Sequence, residues 1–205
     1  MRLYASSRSP FVRKVVIALC ELGLADRVRL IPALVRMDAP NEGVLAHNPL
    51  GKIPTLVRED GSAISGSLAI IDELDRLAGG GLIPADRAIR SWHLQHEALS
   101  DGLLDVLVLW RNEREKPAER QTESWLSNFE VKAARTLDVV ETTVEDLAAS
   151  DFGLAHISLT ALVIYLDFRF DSLCWRDGRP RLAAWADAAM ARPSSRQAAR
   201  LCERL

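Results

Sequence analysis

The chain has 205 residues, 48% of them hydrophobic and 26% charged, with a formal net charge of -2. That is enough apolar material for a packed core in one large domain or two small ones, which excludes a disordered chain. Lys and Arg alternate with Asp and Glu instead of gathering in a block, and no apolar run approaches the ~20 residues of a bilayer span, which argues against nucleic acid and membrane as partners.

Residues 1–4 enter a strand at once, without the layout of a signal peptide. Residues 2–5 read as that strand and 6–9 as a polar turn. From 10 to 22 the apolar residues Phe11, Val15, Ala18, Leu19 and Leu22 recur at helical spacing, and Gly23 stops the helix. Residues 28–34 form a second strand. Two short β runs, 55–58 and 63–65, flank Glu59-Asp60-Gly61, an acidic turn ending in glycine that signals a hairpin. A helix over 67–77 ends at Gly79-Gly80-Gly81. A crossover helix makes the first two strands parallel and the hairpin adds antiparallel partners, so a mixed four-stranded sheet with helices is expected over residues 1–78. The glycines and Pro84 mark a linker, 79–86. Beyond it only helical periodicity remains, over 85–112, 117–149, 158–170 and shorter stretches, and predicts an all-α bundle for 87–205. Cys20, Cys174 and Cys202 lie far apart with no Cys-x-x-Cys pair, which reads as reduced thiols of a cytoplasmic protein.

Ser9, followed by Pro10 at the first helical position, is accounted for as a helix N-cap. A thiol placed beside it would also meet a hydroxyl donor and the positive end of a helix dipole, and both favour thiolate. Ser67 opens the third predicted helix in the same way, where free N–H groups suit an anion. His93, His96 and Glu97 form a His-x-x-His-Glu string that matches neither zincin order, so no metal is expected. Glu97, Asp101 and Asp105 repeat at a spacing of four, which no local helical benefit explains. Ser158 reads as the cap of a late helix, with Ala161 where a capping box would place an acid.

Ser9-Pro10-Phe11-Val12-Arg13-Lys14, Asn48-Pro49-Leu50-Gly51-Lys52-Ile53-Pro54 and Gly66-Ser67, with Tyr165-Leu166-Asp167-Phe168-Arg169 and Arg192-Pro193-Ser194, together resemble the glutathione transferase superfamily, in the right order over nearly the whole chain. The resemblance implies a thioredoxin-like first domain and a helical second one, in a cytoplasmic homodimer with a detoxifying activity that joins glutathione, as co-substrate, to a small electrophile. It makes Ser9 the residue that hydrogen-bonds the glutathione sulfur, with Ser6 and Ser7 nearby. It makes Ile53-Pro54 a cis-proline edge for the cysteinyl backbone, and Ser67 with its helix end the seat of the γ-glutamyl carboxylate. The resemblance sets Lys52 against the glycyl carboxylate, with a solvated loop lysine as the alternative. Gly66 departs from the family, which has an acid there for the γ-glutamyl ammonium; Asp101 of the partner subunit is a substitute. Phe11, Trp110, Arg111 and Arg114 fall where the second substrate binds. A non-catalytic binding protein, an isomerase and a dehalogenase are the alternatives on the same fold.

Overall fold

The computed structural model describes every residue, Met1–Leu205, as two compact units: Met1–Arg90 with Ala191–Leu205, and Ser91–Met190. In the first unit, β1 (Arg2–Ala5) buries Leu3 and Ala5 and exposes Arg2, the alternation of a strand covered on one face. The helix α1 (Pro10–Glu21) crosses over to β2 (Arg29–Pro32), which runs parallel to β1 with Arg2 opposite Arg29. A short helix, α2 (Glu42–Leu45), which the periodicity does not announce, is capped by Asn41, whose side chain accepts from the Val44 N–H. The hairpin of β3 (Thr55–Val57) and β4 (Ala63–Ser65) turns where Asp60 and Gly61 predict it, closed by Arg58 N–H donating to Ser62 C=O at 2.8 Å. The sheet order is β2-β1-β3-β4, mixed as expected.

Helix α3 (Ser67–Ala78) ends at Gly79, in the left-handed conformation that glycine adopts without cost. Asp75, nearly fully buried, then holds the glycine loop: its carboxylate accepts from the N–H groups of Leu82 at 2.8 Å and Ile83 at 3.2 Å.

The second unit holds most of α4 (Arg87–Arg114), α5 (Glu123–Ala148), α6 (Leu154–Arg169) and α7 (Pro180–Ala191). Helix α6 is apolar on nearly every side and buried along most of its length, as the central helix of a bundle must be. Its start corrects the expectation for Ser158, which lies fully buried within the second turn and caps nothing. The N-cap is Gly153, which has no side chain, so the capping comes from histidines. His156 Nδ1 accepts from Gly153 N–H at 3.2 Å, and His93 Nδ1, on α4, accepts from Ala155 N–H at 3.3 Å.

The last helix, α8 (Pro193–Cys202), was expected in the helical domain but belongs with the first unit. Arg192 grips Glu21 at the end of α1 through Nε at 3.0 Å, and Ala198 and Cys202 are buried.

Candidate functional site

The strand register brings three segments to one end of the first unit's sheet. Tyr4 pairs with Thr55, and Thr55 pairs with Ser65. Residues 6–9 after β1, 52–54 before β3 and 66–67 after β4 therefore all emerge beyond the same row of the sheet. These are the segments that carry Ser9, Ile53-Pro54 and Gly66-Ser67.

Ser9 is the N-cap of α1, with φ -88° and ψ 121°, and its Oγ accepts from Val12 N–H at 3.3 Å. It remains half-exposed, and its hydroxyl proton is free to donate outward. Ser6 and Ser7 are half-buried in the preceding turn, where Ser6 Oγ accepts from Arg8 N–H at 3.4 Å. Phe11 sits half-buried in the first turn of α1.

The Ile53–Pro54 bond is cis. Pro54 is buried, while Ile53 lies ahead of β3 with neither its N–H nor its C=O in a backbone hydrogen bond. Sequence reasoning assigned no role to the residue that fixes this loop. Asn48, 2% exposed, donates through Nδ2 to Lys52 C=O at 3.0 Å and to Thr55 Oγ1 at 3.1 Å, and accepts from Leu50 N–H at 3.1 Å. Thr55 Oγ1 donates back to Lys52 C=O at 2.8 Å. A buried amide with its hydrogen bonds satisfied holds the segment in one conformation. Its place at the head of Asn-Pro-Leu-Gly-Lys-Ile-Pro is the signal that could have found it. The Lys52 side chain is exposed.

Gly66, not Ser67, is the N-cap of α3, with φ 92° and ψ 133°. A Cβ there would meet nothing within 4 Å, so space does not exclude a side chain. The backbone would strain one: this is not the left-handed region that Asp and Asn tolerate but one that side-chain-bearing residues rarely adopt. Ser67 is the first helical residue and is 6% exposed. Gly66 has no side chain and supplies no capping atom to α3.

In the helical unit the acidic stripe does not form one solvated face: Glu97 is buried, Asp101 intermediate and Asp105 exposed. Trp110 is a core residue, 5.1 Å from Phe170 and 6.4 Å from Phe129 between ring centroids. Arg114 lies over the Phe170 ring at 4.2 Å and donates to Arg169 C=O at 2.8 Å. Arg111 donates to Asn112 and stands 3.9 Å from Glu115. His96 lies against Trp92 with the rings tilted at 40°, and His93 serves the amino end of α6. Burial pushes the His93 pKa down, His96 adds to this, and Asp151 opposes it. Burial likewise pushes the Cys20 thiol up to about 11, with Cys202 adding to it, so Cys20 is not a ready nucleophile.

Two family models match. One, described as "Glutathione S-transferase, N-terminal domain", covers residues 8–77, and one described as "Glutathione S-transferase, C-terminal domain" covers 123–188. A glutathione transferase family member from Pseudomonas fluorescens Pf-5, solved with bound glutathione, is 38% identical, with a TM-score of 0.93 over 96% of this chain and 97% of that one. The uncharacterized GST-like protein YibF of Escherichia coli K12 is 33% identical over 95% of this chain and 96% of its own. Maleylacetoacetate isomerase of Pseudomonas aeruginosa is 29% identical over 97% of this chain and 95% of its own.

Proposed function

The chain belongs to the glutathione S-transferase family, and on that premise we propose that it binds glutathione at the sheet end described above and joins its thiolate to a small electrophile. The observation that carries this reading is the convergence, set by the Tyr4–Thr55–Ser65 register, of a half-exposed hydroxyl at a helix end, an unpaired backbone edge and a second helix end whose N-cap is a glycine. Each suits one part of the tripeptide. The cysteinyl backbone pairs with the N–H and C=O of Ile53 as an added strand. The sulfur accepts from Ser9 Oγ at the positive end of α1. A free thiol titrates near ~8.5, and lowering that by one to two units raises the thiolate at neutral pH roughly tenfold or more. The γ-glutamyl carboxylate meets the first N–H groups of α3. Lys52, exposed beside the edge, faces the glycyl carboxylate.

Gly66 offers no acid to the γ-glutamyl ammonium, and an acid at this position would be held in a strained backbone conformation. Asp101 of the partner subunit supplies one in the homodimer that this reading requires. Light scattering at micromolar concentration should then give about twice the 22.7 kDa chain mass; a monomer at every concentration removes that role for Asp101.

The isomerase relative favours a second reading, in which the same thiolate adds to the acceptor and is then expelled. Glutathione consumption separates the two: conjugation uses it stoichiometrically, isomerisation returns it. Calorimetric titration with glutathione, followed by a conjugation assay with a halogenated nitroaromatic, tests the whole reading. No binding at millimolar glutathione would leave a non-catalytic protein on the same fold.

A further inference from the structure

Two buried histidines of the helical unit hold the start of α6, and neither can do so when charged. His93 Nδ1 accepts from Ala155 N–H at 3.3 Å, and His156 Nδ1 accepts from Gly153 N–H at 3.2 Å. His156 Nε2 stands 2.8 Å from Leu147 C=O, in the last turn of α5. A carbonyl only accepts, so the proton of that ring is on Nε2 and Nδ1 is left as an acceptor. One neutral ring thus ties the end of α5 to the start of α6. Protonation of either histidine at Nδ1 would set an N–H against a backbone N–H, donor against donor.

The two rings lie 6.0 Å apart between centroids, so two imidazolium charges would repel one another inside the bundle. Phe152, in the turn before α6, and Trp185 of α7 pack on His156 at 5.0 and 6.4 Å between centroids. Burial lowers the His93 pKa, His96 on the same helix adds to this, and Asp151, exposed in the turn before α6, opposes it. Glu97, one turn on from His93, is buried as well. A histidine held neutral while the helix start is closed, and free to titrate near ~6.5 once it opens, takes up a proton on opening between those two values. The two rings repel while closed and titrate separately once released, so opening takes up both protons together.

We propose that His93 and His156 form an acid-operated latch, which holds the start of α6 while both rings are neutral and releases it when both take up protons. The latch is independent of what the first unit binds. Amide hydrogen exchange of Gly153 and Ala155, followed by NMR on the full-length protein, reads the opening of this helix start once the intrinsic exchange rate is divided out. The opening constant should rise as pH falls below ~6.5, with a logarithmic slope approaching about two protons. His93→Asn and His156→Asn keep an acceptor near the place of Nδ1 without a titrating ring. Each should bring the slope to about one, and the double variant, shown folded by circular dichroism, to about zero. A flat wild-type profile overturns the latch and needs no variant. A wild-type slope of about one leaves a single histidine titrating and overturns the pairing. A slope that survives undiminished in the folded double variant assigns the protons to other groups and overturns it as well.

Discussion

The amino ends of α6 and α7, in the helical unit, are treated differently from those of α1 and α3 in the first. Every such end leaves backbone N–H groups without partners inside the helix. In the helical unit, side chains close the starts of α6 and α7, two of them reaching from other helices. His93 of α4 and His156 serve the start of α6. Glu141 of α5 accepts from Arg181 N–H at 3.1 Å and Leu182 N–H at 2.7 Å at the start of α7. In the first unit, α1 carries only its own half-exposed Ser9, and α3 begins at a glycine with no capping side chain. The closed ends hold a bundle together. Those of α1 and α3 sit at the sheet end proposed to receive glutathione, and on that proposal the same local defect is structural in one unit and usable in the other.

The sharpest way to break this comparison is Ser9→Ala. If the open end of α1 serves chemistry, turnover should fall on the order of a hundredfold, as when an oriented donor is removed from a reacting anion, while glutathione affinity changes little. Steady-state kinetics beside calorimetry reads both. Loss of the cap costs up to ~2 kcal/mol of stability, so the variant's folding is measured alongside. Unchanged turnover in a folded variant would make this end as structural as those of α6 and α7.

Gly66→Ala tests the other open end. At φ 92° and ψ 133° any side chain strains the backbone, and about 2 kcal/mol should be lost in chemical denaturation. Gly66→Asp should lose as much, and any gain in glutathione affinity must be read against that strain. A variant as stable as wild type would show that the glycine is not required by the backbone.

The closed ends should respond with stability and not with activity. His93→Leu strands the buried Ala155 N–H and should cost about 1–2 kcal/mol. The pH dependence follows from the direction of its shift. Burial lowers the folded pKa, so the stability it confers is intact above the unfolded value of about 6.5 and is lost as pH falls through the lower folded value. Denaturation midpoints of the wild type should drop over that window, and those of His93→Leu should drop less.

Glu141→Gln should have the smallest effect, a few degrees in Tm, because the amide oxygen still accepts one of the α7 N–H groups. Burial raises the Glu141 pKa, but the N–H groups of Leu182 and Arg181 and the Arg181 side chain outweigh it and hold the carboxyl below its usual value. Its contribution is therefore present above about pH 4.3 and is lost as pH falls through the depressed folded pKa. A variant with an unchanged acid midpoint would remove Glu141 from the list of closing groups.

The sequence by itself determined what depends on neighbours in the chain. The period-2 and period-3.6 patterns, Gly61 in the hairpin turn, Pro10 at the first position of α1 and the glycines after α3 are local instructions, and each element they announce is present. Ser9, Ile53-Pro54 and Gly66-Ser67 stood out for another reason, their resemblance to the family's motifs; from local pattern alone the two serines read as helix caps. What only the tertiary structure decided involves partners distant in sequence. Gly153 carries no capping atom, so the start of α6 depends on His93, 62 residues away, and Ser158 looked like the cap in its place. An amphipathic helix shows which face it buries but not against what, so nothing in residues 193–202 says that α8 joins the first unit through Glu21. Even Gly66 reads as a missing acid until its φ and ψ are known; the backbone, which a sequence does not print, is of the kind that favours glycine.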